Sequence, residues 1–164
     1  MKLFIKLFLV LIIATTFSCS GDDDNPITQS PNNTLSIKYN SQLLTFGGIT
    51  AQKSTENGLA HLKIIGYKKF PGSEQSQYEI ILDLVKDIPG DHGYSFDTIQ
   101  LNVTTEVNGN FTTTIFTNGI GSGGASNTVQ TFLTNVVSGD FDCGLISADM
   151  QYGTISNGLF YIEL

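Results

Sequence analysis

The segment 119–124 has the most recognisable spacing of residues that could do chemistry, Gly-x-Gly-x-x-Gly. In dinucleotide-binding proteins such a loop approaches a pyrophosphate, which is held at the N-terminus of the helix that follows. Here residues 126–131, Ser-Asn-Thr-Val-Gln-Thr, follow as a β-type run. We therefore predict a loop between two strands and no cofactor, although a long loop on a β scaffold is also a place where a ligand can bind.

The two histidines, His61 and His92, are candidate metal ligands or catalytic bases. Zinc needs three or four ligands from His, Cys or carboxylate, and nucleophilic catalysis needs a His near a reactive Ser or Cys. Neither histidine has such a neighbour in the sequence. We therefore expect both to be exposed polar residues and predict no metal site, unless the fold brings distant ligands together.

Two acidic groups could bind calcium: Asp87, Asp91 and Asp97 around a Pro-Gly turn, and Asp140 with Asp142. The dense alternation of Asp, Asn and Gly that is typical of a calcium loop is absent from both. Paired carboxylates could also hydrolyse glycosides, but the separation that this requires is not visible in a sequence. We interpret these residues as solvated turn acids.

The first 18 residues have the pattern of a signal peptide. Lys2 and Lys6 give a positive start, and an unbroken apolar run follows from Leu7 to Ala14. This run is too short for a membrane span, which needs about 20 apolar residues. We therefore predict that residues 1–18 are removed and that the chain is exported.

Residues 16–19, Thr-Phe-Ser-Cys, resemble the lipobox of bacterial lipoproteins, and Asp22, Asp23 and Asp24 resemble the acidic surface-export signal of lipoproteins in the Bacteroidota. The resemblance implies that Cys19 carries fatty acyl chains such as palmitate. It also implies an anchor in the outer membrane, with the protein facing the cell exterior. The alternatives are a plain secretory leader, and aspartates that only solvate a tether.

The composition favours one exported β domain. The sequence has no arginine, and beyond the leader it has six lysines against fifteen acidic residues, a net charge near −9. Such a surface repels nucleic acid, so nucleic-acid binding is excluded. About 146 residues remain, which is enough for one core. We interpret residues 19–33 as the lipidated cysteine and a disordered tether, and residues 34–164 as the folded domain.

Alternation with a period of two recurs from Leu35 onward and predicts antiparallel strands. In Tyr78–Val85 one face is apolar and the other mixed, and Leu59–Tyr67 has a similar pattern. Evenly spaced short strands favour an all-β fold, a single antiparallel β-sandwich, with a small closed β-barrel as the alternative. Further strands are predicted at Leu35–Tyr39, Gln42–Phe46, Ile49–Lys53, Thr98–Val107, Asn110–Asn118, Thr128–Val137, Asp140–Ile146 and Leu159–Leu164.

The pair Asn108 and Gly109 predicts a tight hairpin, because both residues accept the positive φ angles of a two-residue turn. With that turn, Leu101 lies opposite Phe116. A three-residue turn would place Leu101 opposite Ile115, so the register tests the prediction.

Cys143 alternates with Phe141 and Leu145, which predicts a small buried hydrophobe rather than a catalytic thiol. The six tyrosines could stack on sugar rings, but the chain has no tryptophan, the largest such platform. We therefore expect most tyrosines to be rim or core residues. No catalytic set is visible, so we predict that the protein is not an enzyme.

Segments Val137–Phe141 and Ile155–Phe160 are similar to the closing strand motifs of small, uncharacterised surface lipoproteins of the Bacteroidota. This resemblance supports the location and the β fold and implies no chemistry. We predict a lipid-anchored surface module that binds a glycan or protein partner, of unknown oligomeric state. The alternatives are a lipocalin-like carrier of a small apolar ligand, a glycan-binding accessory of a nutrient-uptake system, and a hydrolase whose carboxylates or histidines meet only in the fold.

Overall fold

The computed structural model describes residue 30 and residues 32–86, 94–118, 126–133 and 135–164, with the backbone alone for 126–133. Several predictions lie outside these residues: those for Cys19, for Asp22, Asp23 and Asp24, for the loop 119–124, and for Asp87, Asp91 and His92.

The described residues form ten β-strands and no helix, which confirms the prediction of an all-β fold. None of them belongs to a helix that could cross a lipid bilayer. The strands are β1 (Thr34–Tyr39), β2 (Gln42–Thr45), β3 (Gly47–Glu56), β4 (Leu59–Lys69), β5 (Ser76–Lys86), β6 (Ser95–Val107), β7 (Asn110–Thr117), β8 (Ser126–Leu133), β9 (Val136–Ser147) and β10 (Tyr152–Glu163).

All ten strands belong to one antiparallel sheet with the order β2-β1-β10-β9-β7-β6-β5-β4-β3, and β8 pairs with β9 beside this path. The sheet curls, because its two end strands, β2 and β3, are joined by Phe46 alone. The backbone N–H of Phe46 donates to the carbonyl of Leu35, at 3.0 Å. The curl places the core-facing side of the sheet inside and leaves the other side as the outer face.

The hairpin between β6 and β7 has the predicted turn and the predicted register. Asn108 and Gly109 have φ angles of 53° and 77°. Leu101 pairs with Phe116. The local pattern was sufficient here because the turn type alone fixes which residues face each other.

Two predictions in the C-terminal part were wrong. The predicted strand Thr128–Val137 is a hairpin, in which β8 ends at Leu133 and β9 begins at Val136. No glycine or proline marks this turn, so the alternating pattern runs through it. The last strand begins at Tyr152, seven residues before the predicted Leu159.

The sequence pattern did not predict residues 152–158 of β10 as a strand, because this part contains two glycines and glycine is rare in strands. Both are covered by aromatic rings. A Cβ atom on Gly153 would lie 2.7 Å from Cε2 of Tyr39, and a Cβ atom on Gly158 would lie 2.7 Å from Cε1 of Phe141. Each ring packs directly against the glycine backbone, where any other residue would place its Cβ atom too close to the ring.

The core lies on the face of the sheet that carries Ile80, Leu82 and Leu84 of β5, all fully buried. Phe141 is at its centre, with ring centroids 5.3 Å from Phe96 and 6.4 Å from Phe160. Such tilted aromatic contacts add to the stabilisation that burial provides.

The far ends of β6 and β7 extend beyond the rest of the sheet. β6 pairs with β5 only as far as Val103, and β7 pairs with β9 only through Phe116 and Thr117. Between those points the two strands pair only with each other among the described residues. We name this extension, residues 104–115, the hairpin arm.

The N-terminal end of the domain is fastened to its last strand through Glu163. Ser30 Oγ donates to its carboxylate at 2.6 Å, and Asn32 Nδ2 donates to the same group at 3.0 Å. The backbone N–H of Glu163 donates to Oδ1 of Asn33 at 2.8 Å. We name this set of contacts the Glu163 clasp.

Candidate functional site

His61 lies on the outer face of β4 and is nevertheless almost fully covered, with 9% of the residue exposed. In the ladder it lies between Ser54 of β3 and Val85 of β5, and Val85 is itself buried. The expectation that His61 is an exposed polar residue is therefore wrong. The residues that surround it come from neighbouring strands, which its own sequence neighbourhood does not reveal.

Asp83 of β5 is the direct partner of His61. Nδ1 of His61 lies 3.0 Å from Oδ1 of Asp83, and the two side chains are 10% and 14% exposed. A polar pair this well shielded from water interacts more strongly than an exposed pair. The sequence contains one hint of it, since Asp83 is the single carboxylate within the apolar run 80–85.

A β-bulge brings Asp97 of β6 to the same place. Asp83 pairs with Thr98, and the register shifts immediately afterwards, so Asp97 is an extra residue without a partner in the ladder. A bulge of this kind turns a side chain away from the regular alternation. The donor atoms of His61, Asp83 and Asp97 all lie within 4.8 Å of one another. We name these three residues the His61 cluster.

Negative charge dominates the His61 cluster. The hydrogen bond to Asp83 raises the pKa of His61 above its ordinary value, burial opposes the rise, and the charges of Asp83, Glu56 and Asp97 add to it. An imidazole beside carboxylates can hold a proton at neutral pH or bind a divalent cation. The fold therefore brings together residues that are distant in the sequence, which is the arrangement that the sequence left open.

A second candidate site is a shallow groove of about 420 Å³ on the outer faces of β1, β10 and β9, which we name the β10 groove. Tyr161 lies between Thr34 and Ser138 in the ladder, and the next row places Leu159 between Ser36 and Asp140. The lining residues are Thr34, Ser36, Ser138, Gly139, Asp140, Leu159, Phe160 and Tyr161.

The β10 groove combines apolar and polar groups in a way that suits an amphipathic ligand. Leu159 and Tyr161 are 56% and 39% exposed, which is unusual for large apolar side chains in the middle of a paired strand. A carboxylate and hydroxyl groups surround them. Sequence reasoning missed this site because β10 is apolar on both faces here, so alternation does not show which side faces water.

The acidic pair Asp140 and Asp142 lies within β9 and not in a turn. Both side chains are exposed, as expected for solvated acids, but they have separate roles. Asp140 lines the β10 groove, whereas Oδ1 of Asp142 accepts the backbone N–H of Asn157 at 2.6 Å. Asp142 thus supports the irregular part of β10, where Asn157 has a φ angle of 51°.

Comparisons with known proteins do not assign this arrangement to a family. No protein-family model matches the chain, and no curated protein and no solved structure matches it. The class of protein is therefore defined by the fold and the two sites alone: an all-β domain with one curled antiparallel sheet, a covered histidine–carboxylate cluster and a groove on the outer face.

Proposed function

We propose that this chain is a lipid-anchored cell-surface protein without catalytic activity, which binds a saccharide in the β10 groove. The leader supports the location, through its apolar run and the lipobox-like Cys19 with Asp22, Asp23 and Asp24 behind it. The first described strand begins at Thr34, so about 14 residues of chain separate the proposed anchor from the sheet.

The observation that supports a saccharide as the ligand is the exposed Tyr161 within a row of polar groups. The C–H face of a sugar ring packs on an aromatic ring, and its hydroxyl groups need hydrogen-bond partners around that contact. Leu159 extends the apolar surface, and the carboxylate of Asp140 can accept hydrogen bonds from sugar hydroxyls. A net charge near −9 disfavours acidic sugars, so we propose a neutral saccharide.

Binding of the purified full-length chain to an array of neutral glycans and to neutral polysaccharides in affinity gels tests this proposal. We expect Tyr161→Ala to weaken binding about tenfold, because it removes the central packing surface. Asp140→Asn should weaken it by a smaller factor. Tyr152→Ala is the matched control, since Tyr152 is 69% exposed on the same strand and does not line the groove.

Two results would overturn the saccharide proposal. One is a folded chain that binds none of the neutral glycans. The other is binding that Tyr161→Ala and Tyr152→Ala weaken equally, because that would place the ligand outside the β10 groove.

The location has its own test. We expect mass spectrometry of the native protein to find acyl chains on an N-terminal Cys19, and Cys19→Ala to abolish them. Protease added to intact cells should degrade the wild-type protein. It should spare a variant in which Asp22, Asp23 and Asp24 are replaced by Ala. An unmodified Cys19 in the native protein would refute the anchor.

We do not propose the carrier of a small apolar ligand. The interior that the described residues enclose is occupied by fully buried side chains, among them Leu35, Ile64, Leu101 and Phe141. The β10 groove is open to the surface, and so is a groove of about 390 Å³ that is lined by Thr45, Gly47, Gly48, Tyr67, Lys68 and Lys69.

A further inference from the structure

The potential metal-ligand atoms of the His61 cluster, one from each residue, lie close enough together to bind one ion. Nδ1 of His61 and Oδ1 of Asp83 are 3.0 Å apart, and an oxygen of Asp97 lies within 4.8 Å of both. Two neighbouring ligands in a tetrahedral site with bonds of about 2.0–2.2 Å are about 3.3–3.6 Å apart. The first pair is therefore slightly closer than a tetrahedral ion requires, and small side-chain rotations, including one of exposed Asp97, would complete a three-ligand set.

We infer that His61, Asp83 and Asp97 form a binding site for one divalent transition-metal ion, with Zn²⁺ as the preferred ion. The imidazole ligand favours a transition metal, because Ca²⁺ and Mg²⁺ prefer sites built from oxygen atoms alone. Zinc accepts one imidazole and two carboxylates in a tetrahedral arrangement, with the fourth position left to water or to an external ligand.

The charges around His61 support a cation. With a neutral imidazole, Asp83 and Asp97 give the cluster two negative charges, and Glu56 adds a third nearby. Lys63 lies opposite Asp83 in the ladder. Among the described residues, however, the ion pairs are His61–Asp83 and Lys69–Glu74, so no lysine neutralises the cluster at close range. A bound divalent ion would balance the two carboxylates that face it.

The scaffold fixes the backbone positions of the three ligands before an ion arrives. They come from three neighbouring strands, and β5, which carries Asp83, is paired on both sides over most of its length. The bulge at Asp97 is the feature that turns a second carboxylate toward the imidazole. Rigid elements hold metal ligands more accurately than loops do, which reduces the cost of binding.

The alternative is a hydrogen-bonded pair of protonated His61 and Asp83 that binds no ion. The two possibilities differ in the role of Asp97. A metal site needs Asp97 as a ligand, whereas the pair is complete without it. The exposed Asp97 can be changed with little effect on folding, which keeps the test decisive even if a variant of the covered His61 fails to fold.

The experiment titrates the chelator-treated full-length chain in mild detergent with Zn²⁺ by calorimetry and with Co²⁺ by visible absorption. We expect one ion per chain, ligand-field bands from bound Co²⁺, and a higher melting temperature with Zn²⁺. Asp97→Asn should weaken binding by at least about tenfold and remove the thermal shift, and His61→Gln should do the same. Glu106→Gln is the charge-matched control, because Glu106 is exposed on the hairpin arm; its affinity should equal that of the wild type.

Absence of Zn²⁺ and Co²⁺ binding by the folded wild-type chain would overturn the inference and leave the hydrogen-bonded pair. Wild-type affinity in both Asp97→Asn and His61→Gln would also overturn it, since the ion would then be held elsewhere. The inference does not rest on the saccharide proposal. The His61 cluster lies on β4–β6 and the β10 groove on β1, β9 and β10, so Tyr161→Ala should leave metal binding unchanged.

Discussion

At the scale of single residues, the surroundings of Cys143 determine its chemistry. It lies on the core-facing side of β9 with Phe141 and Leu145 and is 6% exposed. Burial raises the pKa of the thiol to about 12, and the nearby charge of Asp142 adds to the shift. Because the thiolate is the nucleophilic form, we expect this cysteine to be unreactive at neutral pH in the folded protein.

We expect iodoacetamide at pH 8 to label Cys143 much more slowly in the folded protein than in urea, as measured by peptide mass spectrometry. The neutral thiol is favoured in the folded state, so its contribution to stability is complete below the ordinary thiol pKa of 9.0 and is lost as the pH rises toward 12. Between those values the free energy of unfolding should fall more steeply than in Cys143→Ala, by up to about 1.4 kcal/mol per pH unit. Equal labelling of folded and unfolded chains would contradict this.

His61 shows why residue-level prediction from the sequence failed at the candidate site. Its partners Asp83 and Asp97 are 22 and 36 positions away, on two further strands. The bulge that turns Asp97 toward the imidazole interrupts the regular alternation, so a period-two pattern assigns that side chain to the wrong face. Burial of Cys143, by contrast, was predictable, because it depends only on the alternation within one strand.

At the scale of elements, the hairpin arm differs from every other paired segment described above. Residues 105–113 are all exposed, and among the residues that the structure describes their backbone groups pair only across the arm. Near its tip, the rings of Phe111 and Phe70 are 5.8 Å apart, an apolar contact between the arm and the β4–β5 connection. An element with so little burial has little free energy opposing its local opening.

We expect amide hydrogen exchange to separate the arm from the central strands. The amides of Thr105 and Thr113 should exchange at least about tenfold faster than those of Ile80 and Leu82, which lie in a strand paired on both sides. Exchange measured by mass spectrometry or NMR in the same sample provides the internal control. Equal protection of the arm and of β5 would show that a further contact covers the arm.

Some strands could be predicted from the residues of their own segment, and others depend on residues from other strands. The turn at Asn108 and Gly109 allowed β6 and β7 to be predicted with the right register, because a two-residue turn determines which residues face each other. The division between β8 and β9 has no such marker. The start of β10 contains Gly153 and Gly158, and their place in a strand depends on the rings of Tyr39 and Phe141, which are supplied by other strands.

At the scale of the whole molecule, Phe46 joins the two ends of the sheet. It links β2 to β3, is 5% exposed, and its side chain lies against Gly66 of β4, where a Cβ atom would be 3.0 Å from Cβ of Phe46. Leu35 of β1 approaches the same glycine. Phe46 and Leu35 therefore both pack against β4, although β1 and β4 are far apart in the order of the sheet.

We expect Phe46→Ala to lower the free energy of unfolding by about 3–5 kcal/mol, because it removes a buried aromatic side chain where the sheet ends meet. Urea unfolding followed by tyrosine fluorescence measures the change. Phe111→Ala is the matched control. Its side chain is 48% exposed on the hairpin arm, and its removal should cost less than about 1.5 kcal/mol. Equal losses in the two variants would refute the role given to Phe46.

The Glu163 clasp has a mechanical consequence if the proposed lipid anchor holds the protein at its N-terminal end. Any pull transmitted along the chain toward Thr34 first reaches Ser30, Asn32 and Asn33, whose side chains are bonded to Glu163. These polar contacts must break before the ladder between β1 and β10 bears the load. Resistance to shear flow would then depend on Glu163. The variant Glu163→Ala removes the two carboxylate contacts and keeps the one to the backbone N–H, so it should let the domain peel open at a lower force.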